Sequence, residues 1–473
     1  MSNRYINPLS TRYAGEEMQY IFSDDNKFAT WRSLWVALAE SQRELGLPIS
    51  EKQIKQMKEH INDIDYETAA KHEAETGHDV MAHIRTYGDI CPLAKPIIHL
   101  GATSSFVGDN TDILLQRAAL HHIKKLLLET ISKLCEFAET HKDLPCLAYT
   151  HFQPAQPTTV GKRATLWTQD LLFDLQQLEF TLGNLKLLGC KGTTGTAASF
   201  LELFDGDHEK VIELERKIAR KMGLDSVYAV SGQTYSRKID FYTLSVLSGI
   251  AQSASKFSND IRLLSSLKEV EEPFENTQVG SSAMAYKRNP IKSERIASLA
   301  RYVTVNTQGP AITASTQWLE RSLDDSANRR ITIPETFLAT DAILTLQTNI
   351  IGGLVVYPRM IEKHLNEEMP YMITENILMH CVKKGGDRQQ LHEKLRKHSF
   401  ETAKEIKQDG SDNNLLSRIL EDSAFHISEK ELNGLIDASL FTGRAKEQTE
   451  EFLLEVREVL EGDGHGLGNR NRT

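Results

Sequence analysis

The feature that most constrains this chain is where proline is missing. Only 13 prolines occur among 473 residues, and none lies between Pro96 and Pro145, between Pro157 and Pro273, or between Pro310 and Pro334. An interior proline costs a helix about 3 kcal/mol or more, so these stretches permit helices well beyond average length. Within residues 109–142, Leu120, Ile123, Leu127, Ile131, Leu134 and Ala138 recur every three or four positions, an apolar stripe of helical period. One helix over those 34 residues spans roughly 50 Å. The mean helix has about 11 residues, so one this long belongs in a bundle or an oligomer core. Residues 158–188, 235–267, 291–318 and 332–351 read the same way. No strand alternation of comparable strength, internal repeat or low-complexity tract accompanies them.

Shorter helices flank this middle part. Residues 31–45 are amphipathic and stop at Gly46 with Pro48 beyond, and Ser50 with Gln53 forms a capping box for the next helix. After Pro358, breaks at Pro370, Gly385-Gly386 and Gly410 mark short helices again. The expected organisation is all-α in three parts: 1–108, 109–357 and 358–473, with a disordered tail from about 462.

Charge limits the partners. Lys and Arg number 55 against 65 Asp and Glu, a formal net charge of −10. Binders of nucleic acid or anionic membranes carry a basic excess, so neither partner is expected. A small anionic ligand stays open, because a pocket needs only a few local cations. Five scattered cysteines without a CxxC pair argue against a disulfide framework or a thiolate zinc site. The first 17 residues have no signal-like apolar core, and no apolar run approaches the roughly 20 residues of a membrane span, so a cytoplasmic chain is expected.

Four polar stretches carry chemistry. In the first, Gly280-Ser281-Ser282-Ala283-Met284-Ala285-Tyr286-Lys287-Arg288-Asn289-Pro290 runs into a helix start, and residues 281–301 hold five Lys and Arg against Glu294 alone. Helix N-termini favour anions, so the constellation suits a carboxylate ligand; a solvated basic helix start fits equally. In the second, Thr150-His151-Phe152-Gln153 sits among prolines. His151 is either a turn residue or a general acid, since imidazole titrates near neutral pH. The third, residues 320–330, sets three arginines against three acids, either a phosphate fork or a surface salt-bridge lattice. The fourth holds His78, Asp79 and His83, then Thr103-Ser104-Ser105. The i, i+5 histidine spacing does not put two ligands on one helix face, so no metal is expected. His121 and His122 read as surface residues. Gly192-Thr193-Thr194-Gly195-Thr196 lacks the Lys-Ser/Thr ending of a phosphate loop.

Gly280-Ser281-Ser282-x-Met284-x-x-Lys287-x-Asn289 resembles the signature loop of the fumarase/aspartase lyase superfamily. Ser10-Thr11-Arg12-Tyr13, Thr150–Gln156, Gly232–Arg237, Leu323–Arg330 and Phe441–Arg444 are similar to the adenylosuccinate lyase branch of animal type, in order along nearly the whole chain. The resemblance implies an all-α protomer of three domains in a homotetramer, with active sites shared between subunits and no cofactor. It implies β-elimination of fumarate from adenylosuccinate, giving AMP, and from the succinylocarboxamide intermediate SAICAR, giving AICAR. Ser281 then matches the general base, His151 the general acid, Glu294 its acidic partner, and Lys287 a stabiliser of the enediolate. Arg12, Tyr13, Arg321, Ser326 and Arg330 match contacts to phosphate. Thr103, Ser104, Thr150, Lys287 and Asn289 match contacts to the succinyl carboxylates, and His78, Asp79, Gln233 and Arg295 match further pocket residues. Two positions depart from that pattern: Gly77 stands in place of arginine and Ala285 in place of proline. Another fumarate-releasing lyase, such as argininosuccinate lyase, or a catalytically silent homologue are the alternatives.

Overall fold

The computed structural model describes residues 4–274, 283–284 and 286–462. Ser281, Ser282, Ala285 and the expected tail beyond Gly462 lie outside them. The chain is all-α apart from a few short strands. The apolar stripe forms one 37-residue helix, Ser104–Thr140, and Leu120, Ile123, Leu127, Ile131, Leu134 and Ala138 are all fully buried. Further long helices are Val160–Asn184, Lys238–Ser266 and Asp325–Ile351.

Two helical expectations change. Residues 291–318 split into Ile291–Asn306 and Gln308–Thr316, because Pro310 has no N–H to offer the carbonyl of Asn306. Conversely, Asp325–Ile351 begins well before residue 332 and carries Pro334 in its interior. At the other end of the chain, the amphipathic stretch extends back to Asp24–Glu44, where the Ser23 side chain accepts the Asn26 N–H. The Ser50–Gln53 capping box forms.

The described residues divide into two compact units. The first comprises residues 1–127, 171–255 and 295–347, and the second 128–170, 256–294 and 348–473. All five boundaries fall inside helices. The first unit has a core built around Trp31, Trp35, Tyr87, Phe106 and Phe200. In it, three loop segments stack backbone to backbone. A Cβ on Gly195 would meet Ser231 O at 2.0 Å and one on Gly232 would meet Glu320 O at 2.4 Å, so both positions need glycine. The glycine-rich 192–196 loop is therefore a close-packing device that supports residues 231–233 and 320–321.

The second unit holds an antiparallel hairpin, Pro145–Thr150 with Gln153–Thr159, packed through Cys146 and Leu147 on Ile361 and Leu365. It also holds a separate helical core around Ile373, Ile377, Leu415, Ile419 and Phe425. Pro154 and Pro157 lie in the second strand, where only two strands exist and the missing N–H groups can face away from the ladder.

Candidate active site

In the first unit a cleft of about 640 Å³ gathers six of the expected site residues: His78, Asp79, Ser104, Arg321, Ser326 and Arg330. That volume lies within the usual range of small-molecule pockets, about 300–1,000 Å³. His78 caps the helix Asp79–Ile90, its ring nitrogen accepting the Met81 N–H at 3.4 Å. Asp79 is thereby set at a helix start, where the backbone N–H of Val80 reaches its carboxylate at 2.8 Å. Burial pushes the Asp79 carboxyl up, but that N–H and the Arg330 guanidinium outweigh it and hold the group below the usual range. Arg330 Nη2 donates to Asp79 at 2.8 Å. His83 does not share the site: it is buried, stacked on Phe28 with centroids 3.8 Å apart.

Beneath the cleft lies a buried ionic lattice. Arg237 donates through Nε to Asp325 at 2.6 Å and through both terminal nitrogens to Asp109 at 2.9 and 3.2 Å. Arg329 donates to Asp240 at 2.7 Å and to the Tyr235 hydroxyl at 2.5 Å, and its Nη2 pairs with Asp112 at 2.9 Å. Arg321 closes on Asp325 at 3.1 Å. The first helical residue, Asp325, is thus tied to two arginines while its neighbours Ser326 and Arg330 face the cleft. Arginine forks suit this because each guanidinium can satisfy several carboxylate oxygens at once. Residues 320–330 divide: Arg329 is locked in a lattice that is buried and not on the surface, and Arg330 is exposed at the cleft.

The N-terminal arm belongs to the same unit. Arg12 and Tyr13 end the short π-helix Leu9–Tyr13, and the Arg295 guanidinium lies 5.6 Å from the Tyr13 ring centre. Asn7 Nδ2 donates to Glu335 at 2.5 Å and the Gly15 N–H to Asp341 at 2.6 Å. Asp341 also holds His122 at 2.8 Å, with Glu17 on the other ring nitrogen at 3.2 Å. His122 is therefore an anchor for the arm and not a surface residue; the hydrogen bond to Asp341 raises its pKa in spite of burial. Gln233 gives its N–H to Glu320 O at 3.0 Å, and Thr103 precedes the long helix that begins at Ser104.

The second unit carries the other expected residues. His151 and Phe152 form the two-residue hairpin turn, with φ of 54° and 56°. A two-residue turn with both φ values positive favours Asn-Gly, so His-Phe there costs on the order of 1 kcal/mol per residue. His151 is a turn residue, as one reading held. Thr150, His151, Lys287 and Glu294 are exposed. Among the described residues, no hydrogen bond or ion pair joins Glu294 to His151. The helix start after Pro290 is already occupied: Glu272, itself buried, accepts the N–H groups of Lys292 and Ser293 and the Ser293 hydroxyl, each at 2.9 Å. The anion held by that helix N-terminus is thus a carboxylate of the chain itself, which fixes the helix immediately after Lys287 and Asn289.

Comparison with known proteins places this geometry. Residues 14–304 match the family described as Lyase, and residues 370–452 match the one described as Adenylosuccinate lyase C-terminus. Adenylosuccinate lyase of Saccharomyces cerevisiae is 50% identical over 454 residues, covering 95% of this chain and 94% of that protein. The Schizosaccharomyces pombe and Schistosoma mansoni adenylosuccinate lyases are also 50% identical, with the same coverage. The chain belongs to the adenylosuccinate lyase family. As an adenylosuccinate lyase it is a carbon–nitrogen lyase for small anionic substrates, within the fumarase/aspartase superfamily. Two solved structures share its fold: 3-carboxy-cis,cis-muconate lactonizing enzyme from Pseudomonas putida (TM-score 0.81, 22% identity, 96% of this chain and 99% of that one) and fumarate lyase from Mesorhizobium sp. BNC1 (TM-score 0.79, 22% identity, the same coverage).

Sequence reasoning about this adenylosuccinate lyase passed over Lys27, Asp109, Asp112, Gln116, Arg237 and Arg329, all of which line the cleft. Arg237 and Arg329 lie inside the quoted motifs, but nothing in the order of residues distinguishes a buried arginine from an exposed one. Among the described residues no helix is long and apolar enough to cross a membrane, and no group of three or more His, Cys, Asp or Glu is arranged to hold a metal ion.

Proposed function

We propose that the chain eliminates fumarate from both adenylosuccinate and SAICAR, with Ser281 as the general base and His151 as the general acid. The observation that carries this reading is the cleft of the first unit, where Arg321, Ser326 and Arg330 stand beside His78, Asp79 and Ser104. Both substrates carry a phosphate and a succinyl group on nitrogen. Arg321, Ser326 and Arg330, with Arg12 and Tyr13 on the anchored arm, bind the phosphate. Thr103, Ser104, Thr150, Lys287 and Asn289 bind the succinyl carboxylates, and His78, Asp79, Gln233 and Arg295 complete the pocket.

In this reaction a proton leaves the carbon beside one carboxylate, and the resulting enediolate needs preorganised donors and positive charge. Lys287 and Asn289 supply them. Ser281 acts as base only where nearby cations and exclusion of water favour its ionised form. His151 protonates the departing nitrogen, and Glu294 supports the protonated imidazole from another subunit. The assembly is a cytoplasmic homotetramer in which the middle part of the chain, 109–357, supplies the intersubunit bundle. Support comes from large apolar side chains that the long helices leave exposed: Phe173, Phe180 and Tyr242 in the first unit, and Leu166 and Leu263 in the second.

The test follows conversion of adenylosuccinate to AMP and fumarate by ultraviolet absorbance, with size-exclusion light scattering on the same sample. Ser281→Ala and His151→Ala should each lower turnover by several orders of magnitude without dissociating the assembly. Mixed and reassembled, the two variants should recover part of the activity, and mixing that never rescues would remove the shared site.

A further inference from the structure

We propose that Lys27 is a substrate-binding residue that takes a phosphate oxygen of the substrate as the one cation without an ion pair among the described residues of the cleft. The proposal rests on the reading that this cleft binds the phosphate, and it deepens it.

Among the described residues, five Lys and Arg side chains line the cleft, against six carboxylates, a local net of −1 with His78 neutral. Net charge therefore cannot draw a phosphate in, so the availability of individual cations decides. Arg237 and Arg329 are fixed in the buried lattice, Arg321 is paired with Asp325, and Arg330 is paired with Asp79. A ligand taken by any of those arginines shares its charge with a carboxylate already in place. Among the described residues, Lys27 makes no ion pair. Its ammonium lies over the rings of Phe28 and Trp31, 5.0 and 5.4 Å from their centres. Ring faces hold a cation in place without neutralising it, so a phosphate oxygen can add to Lys27 without displacing a carboxylate.

The position of Lys27 points the same way. It lies in the first turn of the helix Asp24–Glu44, where Asp24 and Asp25 suit the positive end of the helix dipole and a lysine does not. A residue that breaks the local rule without an ion-pair partner is explained when a ligand supplies the partner. Its field already reaches the cleft groups: Lys27 contributes to keeping the Asp79 carboxyl low and the His83 ring neutral. Gly77, in the same wall, contributes no side chain that would compete for the anion.

The experiment compares wild type with Lys27→Met, which keeps the aliphatic stem, and Lys27→Arg, which keeps the charge. Each is assayed on adenylosuccinate and on its dephosphorylated nucleoside, after matching circular dichroism melts. Lys27→Met should raise KM for adenylosuccinate by about 10- to 100-fold, the range of a hydrogen bond to a charged group, with kcat within about threefold. Its kcat/KM on the nucleoside should equal that of wild type, and Lys27→Arg should restore KM to within about threefold. Equal losses on both substrates, or an unchanged KM, would overturn the assignment. Calorimetric titration with inorganic phosphate separates this proposal from the activity. If wild type binds phosphate but turns nothing over, and Lys27→Met no longer binds it, the reaction reading falls and the Lys27 site stands. If both bind phosphate equally, the Lys27 site falls.

Discussion

Arg330 and Asp79, 251 positions apart, meet across the cleft with Nη2 2.8 Å from Oδ2. The pair keeps an exposed guanidinium aimed into the pocket, and it gives a phosphate a competitor to displace. Arg330→Gln should therefore lower kcat/KM on adenylosuccinate by about 10- to 100-fold, mainly through KM. Asp79→Asn frees Arg330, so inorganic phosphate should inhibit that variant more strongly than wild type. Steady-state kinetics with phosphate as a competitive inhibitor checks both, and weaker inhibition of Asp79→Asn would show that the pair does not gate phosphate.

Arg237 and Asp325 make a different kind of pair, fully buried and shared with Asp109 and Arg321. Removing one partner of a buried ion pair leaves the other charge unpaired, at a cost of about 3–5 kcal/mol. Arg237→Met should lower Tm by several degrees or more. Asp325→Asn, which keeps the shape and some hydrogen bonds, should cost less stability but still raise KM, because Arg321 loses the carboxylate that aims it. Thermal melts alongside kinetics distinguish the two effects.

Glu272 caps the helix Ile291–Asn306 with three hydrogen bonds. A lost N-cap costs about 1 kcal/mol, and here a buried hydroxyl loses its partner as well, so Glu272→Ala should cost about 2 kcal/mol or more. Because the helix begins just past Lys287 and Asn289, kcat should fall with stability. Glu272→Gln, which can still accept from some of these donors, should recover part of both. A Glu272→Ala enzyme with unchanged kcat would dissociate the cap from the chemistry.

His99 accepts a hydrogen bond from Trp35 Nε1 at 2.9 Å, and burial lowers its pKa from 6.5 to about 4. His83 is likewise lowered to about 4, by burial and then by Arg32 and Lys27. The unfolded chain takes up these protons near pH 6.5, before the folded chain does. Stability is unaffected above that pH and falls as pH drops from about 6.5 towards 4, by on the order of 3 kcal/mol for each histidine. Unfolding followed by tryptophan fluorescence between pH 7 and 4 should show this acid limb. His83→Phe should flatten it; an identical limb in that variant would place the transition elsewhere.

The proline gaps and the helical stripe were enough to specify an all-α chain with overlong helices, because periodicity and helix breaking are local properties. Two of the changed helix limits came from prolines, at Pro310 and Pro334, where backbone geometry and not composition decides whether a helix stops. The motifs placed six residues in one cleft because short polar segments beside helix starts keep their local geometry wherever they are carried. Burial is a property of the whole fold, so residue order could not distinguish Arg329 from Arg330, or recognise His122 as an anchor for the arm. Nor could it say that Glu272 already fills the helix N-terminus that a ligand was expected to use. Lys27, without a motif of its own, gained meaning only when folding placed it beside four arginines that are already paired with carboxylates. The sequence by itself determined the helices and the chemical groups present. The tertiary structure decided which of those groups remain free to act, because pairing and desolvation depend on neighbours hundreds of residues away.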